Sequence, residues 1–288
     1  MISVILTLGL IGCGGGGDKT ITVASKDFTE QFVLGEMYAQ LLENAGYTVQ
    51  RKLNLGGTPV AHQSLLDGQI DVYPEYTGTG LLTVLKLGVM NDPQAVYDTV
   101  KQAYADQFSL AWLDPAPMNN TQALAMTRAR AAELGITTFS DMVANASQLV
   151  LIGPPEFAER EDGVPGLKRV YGDFDFKNFL TVDPGLRYQA LLNGEADVVV
   201  AFGTDGELAA YDLLSLIDDK RLYPPYQVAP VIRQAALDAN PDVAGILNAL
   251  APLLTDATMQ RLNNEVSGNG REPADVAKEF LTAQGLLK

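Results

Sequence analysis

The sequence predicts an α/β protein of two lobes with a ligand cleft between them. Three observations predict it. Strand-like and helix-like segments alternate along the chain, which gives a mostly parallel sheet covered by helices on both faces. The succession helix, Gly-containing turn, buried strand occurs twice, at Leu66-Asp67-Gly68-Gln69-Ile70-Asp71-Val72 and at Leu192-Asn193-Gly194-Glu195-Ala196-Asp197-Val198. The length, 288 residues, suffices for two lobes of ordinary domain size.

Each element follows from local pattern. Thr20 to Ser25 reads as a first strand that ends at the polar loop Lys26-Asp27-Phe28-Thr29. A helix from about Glu30 to Ala45 carries Phe32, Val33, Met37, Leu41 and Leu42 at helical spacing, with Gly46 as its stop. Tyr47 to Leu55 is a second strand, Gly56-Gly57-Thr58 opens a helix through Leu66, and Ile70 to Tyr73 is a short third strand. Farther on, Gln148 to Ile152 and Ala196 to Phe202 are strands, and helices hold Pro165 to Tyr171 and Tyr188 to Leu192. Gln122 to Met126 and Gln227 to Ile232 are extended segments expected to cross between the lobes. The C-terminal part is helical (Val243 to Leu254, Asp256 to Glu265, Pro273 to Gln284) and is expected to pack back on the first lobe. The expected division is a leader over residues 1–19, one lobe from 20–118 with 230–288, and a second lobe from 119–229.

Composition excludes several function classes. The content of 47% hydrophobic and 19% charged residues is that of a packed globular protein. A net charge of −15 disfavours nucleic-acid binding, which needs clustered Lys and Arg. The only cysteine, Cys13, precedes any plausible core, and the only histidine, His62, cannot supply a multi-histidine metal site. His62 reads as a solvent-facing or helix-surface residue. No nucleophile or metal site accompanies the carboxylates Asp71 and Glu75, so no enzyme and no cofactor is expected. Tyr73 and Tyr188 read as packing residues, and Trp112 is expected to pack near the lobe junction.

The first residues carry an address. Ile2 to Ile11 form an apolar run too short to span a bilayer but suited to the core of a signal peptide, although no Lys or Arg precedes it. Leu10-Ile11-Gly12-Cys13 looks like a bacterial lipobox, with Cys13 as the lipidated residue and Gly14 to Gly17 as a flexible tether. The expected location is extracytoplasmic, with a lipid anchor as the only attachment to the membrane.

Four segments carry a resemblance. Ala24-Ser25-Lys26-Asp27-Phe28-Thr29-Glu30-Gln31, Asp71-Val72-Tyr73-Pro74-Glu75-Tyr76-Thr77-Gly78-Thr79, Asn119-Asn120-Thr121-Gln122-Ala123-Leu124-Ala125-Met126 and Phe202-Gly203-Thr204-Asp205-Gly206 resemble the glycine betaine, carnitine and choline binding proteins of osmoprotectant ABC transporters. The resemblance runs from about Ile21 to Leu287 in the same order. It implies a type II periplasmic-binding-protein fold that closes on its ligand, an aromatic cage around a trimethylammonium group, and an ABC permease as partner to a monomer. A quaternary ammonium offers no hydrogen-bond donor, so aromatic faces recognise it at roughly 0.5–2 kcal/mol each, while its carboxylate wants charge-assisted donors. By position the resemblance places Tyr76 and Tyr226 in the cage, Thr79, Lys26 and Arg160 on the carboxylate, and Phe202 and Gln122 where the family has its remaining cage tyrosines. Phe202 keeps a π face; Gln122 replaces one with an amide. That substitution leaves open an amino acid or other polar zwitterion as the ligand, and a membrane sensor in place of a permease leaves the same sequence signals.

Overall fold

The computed structural model describes residues 19–287. Cys13 and the lipobox lie outside the described residues. Ten strands assemble into two five-stranded sheets. In chain order they are β1 (Thr20–Ala24), β2 (Thr48–Lys52), β3 (Val72–Tyr76), β4 (Leu110–Trp112), β5 (Gln122–Thr127), β6 (Val150–Gly153), β7 (Asn178–Thr181), β8 (Val198–Phe202), β9 (Leu213–Ser215) and β10 (Val228–Arg233). The first sheet has the order β2-β1-β3-β10-β4 and the second β7-β6-β8-β5-β9.

The two sheets share one construction. In each, three parallel strands are followed by an antiparallel one, β10 in the first and β5 in the second. The sheets are therefore mixed, a correction to the mostly parallel expectation. The antiparallel strand in each case is the one by which the chain arrives from the other sheet, so its direction is set by the crossing and not by a βαβ unit. Gln122 to Met126 and the segment before Ile232 are thus strands inside sheets, and the crossings are the stretches that precede them. Those two crossings run side by side: Ala116 N–H donates to Val228 O at 2.8 Å and Asn120 N–H to Tyr226 O at 3.0 Å.

The third strand extends farther than its apolar pattern indicates, through Pro74 to Tyr76. Thr77 N–H donates to Gln227 O and Arg233 N–H to Asp71 O. That phase leaves Pro74, paired with Pro230, at a non-hydrogen-bonded position where neither ring costs the β3–β10 ladder a donor. Tyr76 is consequently a strand terminus, three residues beyond the strand expected to end at Tyr73.

The helix Thr29–Asn44 is the centre of the first core, burying Val33, Leu34, Met37, Tyr38, Leu41 and Leu42. Each such aliphatic side chain contributes roughly 1.5–3 kcal/mol on burial. The helices Asp256–Ser267 and Pro273–Ala283 pack on it. The former helix also reaches the second sheet: Asn263 Nδ2 donates to Thr204 O and Gln260 Nε2 to Gly203 O, both at 2.9 Å. Trp112 packs edge-on to Tyr104, 5.2 Å between ring centroids, inside the first lobe's second cluster and not at the junction. His62 is half-buried between Tyr104 and Phe108 (5.5 and 5.1 Å), not solvent-facing, and burial lowers its pKa. No helix of the described residues is long and apolar enough to cross a membrane.

Candidate functional site

A cavity of about 270 Å³ opens between the sheets, and every ligand-contact residue expected from sequence lines it: Lys26, Tyr76, Thr79, Gln122, Arg160, Phe202 and Tyr226. Phe28, Asn120, Glu156 and Arg187 join them. The walls come from the ends of β3 and β8, the start of β5, the loop after β1, and the segments that follow β6 and precede β10. This is the carboxyl-end placement general to open α/β sheets, duplicated across a cleft.

The aromatic wall is a stack of three rings. Phe28 lies between Tyr76 (centroids 6.2 Å apart, planes 24°) and Phe202 (5.8 Å, 19°). Phe28 immediately precedes the helix Thr29–Asn44 in an extended conformation, so the turn into that helix sets its ring against strand ends of both sheets. Tyr226 approaches through a gap that only glycine leaves open: a Cβ on Gly78 would sit 2.7 and 2.8 Å from the Tyr226 ring and 2.9 Å from Pro225 O. Two of the rings already see a cation, Lys26 Nζ at 4.9 Å from Tyr76 and the Arg187 guanidinium at 5.4 Å from Phe202.

The polar wall is organised by Asp162, which is completely buried. Its Oδ2 accepts from Gln122 Nε2 (2.6 Å), Arg160 Nη2 (2.6 Å) and the Tyr226 hydroxyl (2.5 Å), and its Oδ1 from Arg160 Nε (2.7 Å). Burial alone would raise this carboxyl, but the Arg160 guanidinium and the hydrogen bonds outweigh it and hold the pKa below the ordinary range. Arg160 is therefore ion-paired and on the cavity wall at once. Gln122 stands directly across from Phe202 in the β5–β8 register, so the amide and the ring share one face of the second sheet.

Lys26 is likewise paired. Its Nζ lies 2.7 Å from Glu75 Oε1 and 3.2 Å from Thr58 Oγ1, with both charged side chains buried. Glu75 also accepts from the Tyr73 hydroxyl at 2.8 Å. Asp71 pairs with Arg233, so each carboxylate near the end of β3 is neutralised by a cation and neither is free for acid/base work. An ammonium with two of its three donors in use keeps one more to donate. Arg187 is tied to Asp205 (2.6 Å), Val200 O (2.9 Å) and Pro184 O.

Behind Tyr76 lies another buried carboxyl group. Glu30 accepts from the Tyr76 hydroxyl at 2.7 Å, from Asn263 Nδ2 at 2.9 Å, and from Asn120 Nδ2. Burial raises its pKa despite these donors. Helix Thr29–Asn44, the crossing segment and helix Asp256–Ser267 thereby meet on one carboxyl group.

Sequence reasoning missed Phe28, Asp162 and Arg187. Phe28 lies inside the Ala24–Gln31 motif, where an aromatic ring in a polar loop was a signal; Asp162 lies two residues from Arg160. Nothing local marks Arg187, whose partners Val200 and Asp205 are brought to it by β8.

Residues 19–283 match the family described as the substrate binding domain of ABC-type glycine betaine transport systems. A glycine-betaine-binding protein of Pseudomonas aeruginosa is 36% identical over 97% of this chain and 92% of its own length. An ergothioneine transport permease/ergothioneine binding protein of Helicobacter pylori is 34% identical over 93% of this chain, which spans only 48%, about half, of that relative. Among solved structures, a glycine betaine/carnitine/choline ABC transporter protein superposes with a TM-score of 0.74 at 31% identity, covering 93% of this chain and 100% of that one. The match confirms the two-lobed binding-protein fold, and the family is one of extracytoplasmic substrate-binding proteins, not of enzymes. The chain belongs to the family of substrate-binding domains of ABC-type glycine betaine transport systems.

Proposed function

We propose that the cavity takes a quaternary-ammonium osmoprotectant of betaine, carnitine or choline type, with Tyr76, Phe202 and Tyr226, joined by Phe28, as its aromatic cage. Lys26, Thr79 and Arg160 supply donors to the ligand's carboxylate, and Gln122 forms the polar wall. One observation carries the reading: the Tyr76–Phe28–Phe202 stack and Tyr226 line the same 270 Å³ space as three buried or half-buried cations. Aromatic faces serve the trimethylammonium end and cationic donors the carboxylate end. The cations are paired, so the wall is near neutral and does not repel the ligand's positive end.

In this reading the lobes are residues 20–118 with 230–288, and 119–229, and ligand bridging them shifts an open–closed equilibrium toward the form that docks on an ABC permease. The binding unit acts as a monomer, tethered at the outer face of the membrane through lipidated Cys13. Calorimetric titration with glycine betaine, carnitine, choline and proline betaine tests the ligand class; absence of binding to all of them refutes it. A Cys13→Ala variant that stays in the membrane fraction refutes the anchor.

A second reading has a specific observation behind it. Gln122 puts an amide where an all-aromatic cage would have a ring, which suits a larger betaine that adds hydrogen-bonding groups, such as the ergothioneine named for the Helicobacter pylori relative. Titration with ergothioneine beside glycine betaine separates the two.

A further inference from the structure

The orientation of Gln122 is chemically determined. Its partner Asp162 is a buried carboxylate held below its ordinary pKa, and a carboxylate can only accept. The amide must therefore present Nε2 to Asp162, as the 2.6 Å contact shows, and turn its carbonyl oxygen the other way. Among the described residues that Oε1 has no donor, although Gln122 is 95% buried (5% exposed) and lines the cavity. Its cross-strand position opposite Phe202 puts it on the cavity face of the second sheet. Neither Tyr226 nor Arg160 can turn to satisfy it cheaply, because both are committed to the same Asp162.

We infer that Gln122 is a specificity residue and that the cargo carries a hydrogen-bond donor, an O–H or N–H, which Gln122 Oε1 accepts. The substrate class is then a hydroxylated or N–H-bearing quaternary ammonium, in preference to a donor-free betaine. This rests on the proposed quaternary-ammonium reading and sharpens it. A donor-free ligand would exclude water from the cleft and leave Oε1 desolvated without a partner; a donor-bearing one would not. The cost of one buried unsatisfied acceptor corresponds to a preference of roughly 5- to 150-fold. Sites built around a ligand donor reject the analogue that lacks it far more strongly than apolar pockets reject an extra group.

The test is calorimetric titration of the protein with two matched pairs. Choline against propyltrimethylammonium exchanges a hydroxyl for a methyl, and L-carnitine against γ-butyrobetaine removes one hydroxyl. At least one hydroxylated member should bind roughly 10-fold or more tightly than its counterpart. The preference should fall to within about threefold in Gln122→Leu or Gln122→Met, which keep the side-chain bulk and lose the acceptor. Equal binding within each pair by the unaltered protein overturns the inference, as does a preference that survives in both variants. Failure of all four compounds and of glycine betaine to bind overturns the quaternary-ammonium reading itself, a different result from tight but indiscriminate binding.

Discussion

Replacing Asp162 by Asn keeps the shape of the side chain and removes its charge. In the folded protein this carboxylate has no exposed surface and accepts four hydrogen bonds, two of them from Arg160. The variant leaves the Arg160 guanidinium, whose side chain is 13% exposed, with only Glu156 at 3.4 Å, and Glu156 is 36% exposed. It also sets an amide NH₂ against donors that Asp162 had satisfied. Breaking a buried ion pair from one side costs about 3–5 kcal/mol, and the residual Glu156 contact argues for the lower end, about 3 kcal/mol. At roughly 2–4 °C per kcal/mol for a protein of this size, the melting temperature should fall by about 6–12 °C. Urea denaturation followed by circular dichroism measures the loss directly. Because the folded-state pKa is depressed, Asp162 contributes stability above its ordinary value of 3.8, and that contribution is lost as pH falls through the folded pKa. The difference between wild type and Asp162→Asn should accordingly be flat from about pH 5 to 8 and shrink in stronger acid. A loss below about 1 kcal/mol, or a difference that grows on acidification, refutes the account of Asp162 as an ionised anchor of the cavity wall.

Phe28→Ala removes the middle ring of the aromatic stack and should weaken quaternary-ammonium binding by about 2- to 30-fold with the fold intact, read by calorimetry; unchanged affinity would remove Phe28 from the cage. Gly78→Ala drives a methyl into Tyr226 and should destabilise the protein by about 1–3 kcal/mol and weaken the ligand, since the ring cannot move without giving up Asp162; a melt identical to wild type would count against that constraint. Glu30 works in the opposite pH sense from Asp162. Burial raises its pKa above the ordinary 4.5, so above that pH the folded state holds a proton that the unfolded chain releases, and stability falls as pH rises toward the folded pKa. The denaturation midpoint of wild type should decline over that window relative to Glu30→Gln, and parallel profiles for the two proteins would refute it.

Periodicity and turn chemistry made most elements legible in the sequence. Phe32, Val33, Met37, Leu41 and Leu42 at helical spacing, closed by Gly46, mark a helix whose structure runs Thr29–Asn44. The matched turns at Gly68 and Gly194, both with positive φ, revealed two lobes of one construction. These are local signals, carried by residues within a few positions of one another. The resemblance, five positions of it within the four motifs, also located the seven ligand-contact candidates, which converge on one cavity. What those residues do there depended on partners remote in sequence. Lys26 is neutralised by Glu75 on β3, and Gln122 meets Phe202 only through the β5–β8 register and Asp162 only through the loop after β6. No local pattern carries such pairings, because the chain between the partners has to fold before they approach. For the same reason the sheets turned out mixed: a strand's direction depends on where the chain enters the sheet, and its own residues do not encode that. The local motifs thus determined the family resemblance, and tertiary register decided that the cavity's polar wall sets the Gln122 amide opposite Phe202 and against Asp162.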